Sequence, residues 1–96
     1  MTTATAPSIR TGDVRPLRIG GRIAVEIVDV GANDFTRRYV ASVYGWKRHY
    51  TTGEGDAPDR ALRDWCENTG NDFDAVLTEC HLMDGDGQPI LLRKGR

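Results

Sequence analysis

Asp56-Ala57-Pro58-Asp59-Arg60-Ala61-Leu62-Arg63-Asp64-Trp65-Cys66-Glu67-Asn68-Thr69-Gly70 reads as a short amphipathic helix around which the rest of the chain must be arranged. Asp56 is placed to cap its N-terminus, Pro58 is tolerated in the first turn, and Asp59 complements the positive end of the helix dipole. Ala61, Leu62, Trp65 and Cys66 form one apolar stripe, with Trp65 as the expected core anchor. Asp59/Arg63, Arg60/Asp64 and Arg63/Glu67 place opposite charges at helical spacing on the other side, and Gly70 is a suitable stop. The spacing predicts one helix over Ala57 to Asn68.

Upstream, the period changes from helical to two. Leu17, Ile19, Ile23, Val25 and Ile27 are apolar at odd positions, which is the alternation of a half-buried strand, with Gly20-Gly21 as a bulge or bend within it. Gly31-Ala32-Asn33-Asp34 supplies a turn, and Arg37 to Tyr50 reads as the second strand of a hairpin. Residues 1 to 16 lack apolar alternation and read as a flexible arm before a single domain over 17 to 96.

Downstream, Phe73, Val76, Leu77 and Cys80 fit helical spacing as well as extended structure. The turn Asp84-Gly85-Asp86-Gly87, followed by Ile90-Leu91-Leu92, favours a strand over Asp74 to Met83 and a last strand beginning near Pro89. The expected fold is therefore α+β, in the order β-β-α-β-β, with a four-stranded, mainly antiparallel sheet and one helix on one face. Four strands about 4.8 Å apart span roughly 19 Å, whereas a helix is about 10 Å wide, so a sheet face is left open. In the second strand the small residues Ala41, Val43 and Gly45 suit close approach of the helix. Tyr44, Trp46, Arg48 and Tyr50 then fall on the open face, where aromatic residues and arginine have the composition of a binding hot spot. The opposite register would bury those aromatics instead.

The 96 residues carry a net charge of −1 that conceals an asymmetry. Residues 1 to 50 hold eight basic and four acidic groups, and residues 51 to 96 hold five and ten. Between Glu54 and Asp86, ten acids face only Arg60 and Arg63, a balance of −8. Two readings stand: a solvated helix face with polar turns, or an acidic surface that meets a basic partner. No apolar run is long enough to span a bilayer, and the N-terminal residues have neither a basic nor an apolar leader region, so a cytoplasmic location without membrane association is expected. Cys66 and Cys80 are then expected to be reduced and buried, although sequence leaves a disulfide between them open.

Chemical motifs are sparse. Gly53-Glu54-Gly55-Asp56 precedes a helix but lacks the Gly-Lys-Ser/Thr ending of a phosphate loop, and its acids would repel phosphate. Asp84-Gly85-Asp86-Gly87 has acidic spacing at two calcium-loop positions, but Gly95 stands where the closing glutamate is needed. Cys66, Cys80, His49 and His81 include zinc-ligand types without paired spacing. No catalytic residue, metal or cofactor is expected.

The β-β-α-β-β order, with its Gly-rich turn into a short Ala/Leu helix over Gly53-Glu54-Gly55-Asp56-Ala57-Pro58-Asp59-Arg60-Ala61-Leu62, resembles compact phage or mobile-element proteins such as anti-CRISPR inhibitors. The resemblance covers roughly residues 22 to 92 and is architectural, so it assigns no functional residue. It implies a non-enzymatic inhibitor occupying a nucleic-acid-processing complex. The residues themselves point to a protein-binding module whose partner presents a basic or nucleic-acid-binding surface. The candidate contacts are either acidic (Glu54, Asp56, Asp59, Asp64 and Glu67) or aromatic and basic (Tyr44, Trp46, Arg48 and Tyr50). A homodimer is compatible with either. The alternative is a small nucleic-acid binder that holds phosphates with Arg37, Arg38, Lys47 and Arg48 and stacks bases on Tyr50.

Overall fold

The computed structural model describes residues 9–12, 14–31, 38–46 and 51–92. Its elements are β1 (Arg15–Pro16), β2 (Arg18–Ile19), β3 (Arg22–Asp29), β4 (Tyr39–Val43), β5 (Gly45–Trp46), β6 (Gly53–Gly55), α1 (Pro58–Thr69), α2 (Phe73–Glu79) and β7 (Cys80–Met83). The class is α+β, with a mostly antiparallel sheet and two helices. Among the described residues the main sheet has five strands rather than the expected four: β7, β3, β4 and β6 follow one another across it, β2 also pairs with β3, and only the β3–β7 pair is parallel, while β1 and β5 form a separate two-stranded sheet.

Gly20 and Gly21, at φ +62° and +81°, form the tight turn between β2 and β3, in the left-handed conformations that a two-residue hairpin requires. This replaces the bulge expected within one long strand, and it inverts the side-chain parity. Ile19 pairs with Arg22 and Arg18 with Ile23, so Leu17 and Ile19 lie on the face opposite Ile23, Val25 and Ile27. The core accordingly holds Val25 and Ile27, while Leu17 and Ile19 are 46% and 39% exposed.

The helix expected over Ala57 to Asn68 forms as Pro58–Thr69 and buries Ala61, Leu62, Trp65 and Cys66. Its N-cap is Ala57 rather than Asp56, and Asp56 instead pairs with Arg60 one turn on, at 3.4 Å. Gly70 closes the helix in the left-handed conformation. Gly53 and Gly55 let the helix lie directly on β6. A Cβ on Gly53 would collide with Trp65 N and Ala61 O, and one on Gly55 would lie 2.8 Å from Ala61 N.

Residues 73 to 83 differ most from expectation. The strand placed at Asp74 to Met83 is a helix up to Glu79, so the single-helix β-β-α-β-β order gives way to two consecutive helices before β7. Asp72 caps α2 by accepting the Ala75 N–H at 3.0 Å, and Val76 points fully into the core. The physical reason is topological. β6 and β7 lie at opposite edges of the sheet, and α1 and α2 carry the chain between them. The strand expected from Pro89 is reduced to one bridge, Met83 to Pro89, and the Ile90 N–H donated to Leu82 O.

The second strand, expected as Arg37 to Tyr50, is described as β4 and β5, between which the chain meets an inserted segment. Leu17 N–H donates to Tyr44 O while Leu17 O accepts from Ala24 N–H, so β1 and β2 wedge between β3 and β5. Of the arm expected over residues 1 to 16, residues 9–12 and 14–16 are described. Val14 is buried in the core, Ile9 packs against it, and Arg10 and Asn71 exchange hydrogen bonds at 2.7 and 3.0 Å. The domain's packing thus begins before residue 17.

Among the described residues no buried side chain is polar or charged, and no helix is long and apolar enough to cross a membrane. Val25, Ile27, Ala41, Val43, Leu62, Trp65 and Val76 meet in one core between the sheet and the helices. Strand alternation puts Tyr44 on the other sheet face, where it is 39% exposed.

Candidate functional site

The acidic positions proposed from sequence separate into different local jobs. Asp64 faces β6, and its carboxylate accepts the Glu54 backbone N–H at 2.9 Å, with the Asn68 amide at 3.4 Å. Asn68 also donates to Thr52 O at 3.0 Å. These two α1 side chains therefore occupy the outer hydrogen-bonding edge of β6, which would otherwise be an open strand edge. Asp56 is held by Arg60. Glu67 is exposed, Asp59 and Glu54 are half-buried, and the expected helical partner Arg63 instead lies over the Phe73 ring at 3.9 Å. The five residues thus divide between an edge plug, a helix-start ion pair and scattered surface.

Of the aromatic and basic candidates, Arg38, Tyr44 and Trp46 fall among the described residues. Arg38 lies 5.4 Å over the Tyr39 ring and 3.8 Å from Asp29, which ties it to the protein's own aromatic and acidic groups. Tyr44 is at the opposite end of β4. Trp46 is in β5, paired with Arg15. Arg37, Lys47, Arg48 and Tyr50 lie outside the described residues, as does His49.

What the fold does assemble is a cleft of about 590 Å³ at the C-terminal end of β3. Its apolar walls are Ile27, Val28, Tyr39, Pro58 and Ile90, and its acids are Asp29, Asp84 and Asp86. Each wall arrives for a local reason. Asp29 and Tyr39 are register partners across β3 and β4, and Pro58 is the first residue of α1. The Asp84 carboxylate accepts the N–H groups of Asp86 and Gln88 at 2.8 and 2.9 Å, folding the turn expected there. Asp29 accepts the Gly31 N–H at 2.9 Å, so two of the three acids also brace their own loops.

Three carboxylates and a partly apolar wall share this hollow, and Arg38 is paired with Asp29 at its rim. Among the described residues no group of three or more His, Cys, Asp or Glu is placed to hold a metal. Asp84 and Asp86 were visible in sequence as part of the −8 segment. Asp29 and Tyr39 were not, because only the β3–β4 register and the return of the chain after β7 bring them alongside.

The two cysteines are free and buried, Cys66 on α1 and Cys80 on β7. Burial, reinforced by the charges of Cys80 and Asp72, pushes Cys66 up to about 12. Burial and Glu79 push Cys80 up to about 11. Both thiols are therefore protonated at neutral pH. No family model, curated protein or solved structure matches this chain.

Proposed function

We propose that this chain is a non-enzymatic protein-binding module whose partner inserts a basic, partly apolar segment into the cleft at the end of β3. The observation that carries this reading is the combination of Asp29, Asp84 and Asp86 with the Tyr39, Pro58 and Ile90 surface in one hollow. An arginine or lysine stem would lie on the apolar wall while its charged head meets the carboxylates, in competition with Arg38 for Asp29 and the Tyr39 ring. Such a segment is common on proteins that handle nucleic acid. The inhibitor reading suggested by compact phage proteins therefore remains part of the proposal, although α2 alters the element order on which that resemblance rested.

The test is a panel of labelled nine-residue peptides, basic-apolar, acidic-apolar and neutral-apolar, measured by fluorescence anisotropy. Basic-apolar peptides are expected to bind, to weaken as salt rises, and to lose about tenfold in affinity on Asp86→Lys, as for a lost close charge pair. Equal binding of all three classes, or indifference to Asp86→Lys, would overturn the reading.

A further inference from the structure

A second unexplained surface lies at the other end of β3. The β2–β3 hairpin exposes Leu17 and Ile19 at 46% and 39%, beside Tyr44 at 39%, on the sheet face away from both helices. Isolated exposed aliphatics need no explanation, but these three sit together at one branch of the sheet, where Leu17 hydrogen-bonds to both Ala24 and Tyr44. The exposed Arg22 shares their side of the hairpin, and the exposed Arg18 projects from its other side, with the exposed Arg15 just before them in the chain. Arg18 donates to Gly21 O at 3.2 Å and Arg22 to Thr78 O, so both guanidinium groups are held by neutral carbonyls and keep their charge available. The occupant this hairpin suits is an apolar surface rimmed by acids.

The protein itself carries such a surface in the cleft of Asp29, Asp84 and Asp86. We infer that the chain self-associates head to tail, the β2–β3 hairpin of one copy seated in the β3-end cleft of the next. Arg22 and Asp29 are the two ends of the same strand, roughly 23 Å apart at about 3.3 Å per residue, so a hairpin cannot reach its own cleft and can seat only in the cleft of another copy. Ile19 and Arg22 share one side of the hairpin and Arg18 takes the other, so a narrow tip presents hydrocarbon and positive charge together. The contact is heterologous, each copy using two different surfaces, and it produces a closed ring or an open chain rather than a two-fold dimer. This inference rests on the cleft accepting a basic, apolar segment. It adds that the first such segment available is the protein's own, so a foreign partner must compete with self-association.

Sedimentation velocity over a concentration series tests it. The wild type is expected to show an average mass that rises with concentration and falls with added salt. Arg18→Glu, at an exposed hairpin position, and Asp86→Lys, at the exposed cleft rim, are each expected to weaken association about tenfold while leaving circular dichroism unchanged. Mixing the two variants should restore association, because the unaltered hairpin of one meets the unaltered cleft of the other, and the acidic hairpin meets the basic cleft. A wild type that stays monomeric at low salt, or variants whose mixture fails to recover, overturns the inference. A synthetic, end-cyclised peptide of residues 15 to 22 separates the two readings. If it binds the cleft in an Asp86-dependent way while the whole protein stays monomeric, self-association fails and the cleft's function stands. If neither the peptide nor a second copy binds, both fail.

Discussion

Asp64 illustrates how a residue that looks like surface charge in sequence becomes structural in context. By helical spacing it lies on the polar side of α1 with Asp59 and Glu67, yet it turns toward β6 and takes the Glu54 N–H. Asp64→Ala would remove the acceptor of that donor at a half-buried edge, while the Asn68 amide keeps Thr52 O, an expected loss of about 1–3 kcal/mol in urea unfolding. Glu67→Gln, at an exposed position, should stay within about 0.5 kcal/mol. Equal effects of the two substitutions would contradict the edge-plug role. The thiols give a second residue-level expectation. Folding raises Cys66 from an ordinary 9.0 to about 12 and Cys80 to about 11, which means the fold favours the protonated form. The stability linked to these groups is complete below pH 9 and is lost as pH rises through the range from 9 to 12. A thiol reagent at pH 8 is therefore expected to label neither cysteine in the native protein and both in denaturant. Rapid native labelling would refute their burial.

Among the elements, β6 and α1 are defined by each other. Gly-Glu-Gly is a poor strand by composition, since glycine packs no side chain. It is extended because β4 pairs with one edge, α1 side chains hold the other, and the absence of a Cβ at Gly53 lets the helix backbone settle on it. Gly53→Ala should force α1 away from the sheet, at a cost of about 1–3 kcal/mol, measurable by thermal unfolding. An unchanged melting temperature would show that the helix does not sit as close as described. α2 makes the complementary point. Its Phe73, Val76 and Leu77 spacing fits either a helix or a short buried strand, and seven residues are too few to be helical alone. The Asp72 cap and the burial of Val76 against the core select the helix, and extended pairing starts only at Cys80.

For the whole molecule, the sequence by itself determined the class and the anchors. The apolar stripe and the Pro58 and Gly70 boundaries of α1, the alternation of Ile23, Val25 and Ile27, and the Asp84 turn are all set by neighbours within a few residues, so local periodicity and turn chemistry suffice to read them. Ala41 and Val43 could likewise be placed on the helix-covered side, because small residues are needed where a helix approaches a sheet, whereas Gly45, read with them, lies against the backbone of Arg15 to Leu17 instead. Only the tertiary structure decided the rest. The parity switch at Gly20-Gly21 depends on whether two glycines bend a strand or reverse it, a choice made by the pairing of Leu17 with Ala24 and Tyr44. The second helix follows from the need to cross from β6 to β7. The cleft joins Asp29, Tyr39, Pro58 and Asp84, which are separated by up to 55 positions in sequence, so no local pattern contains it. The asymmetry between a basic first half and an acidic second half was legible as a count. That basic groups border the β2–β3 hairpin while acids border the far end of β3 was not, because a count of charges carries no information about which backbone hydrogen bonds will bring them to opposite ends of one strand.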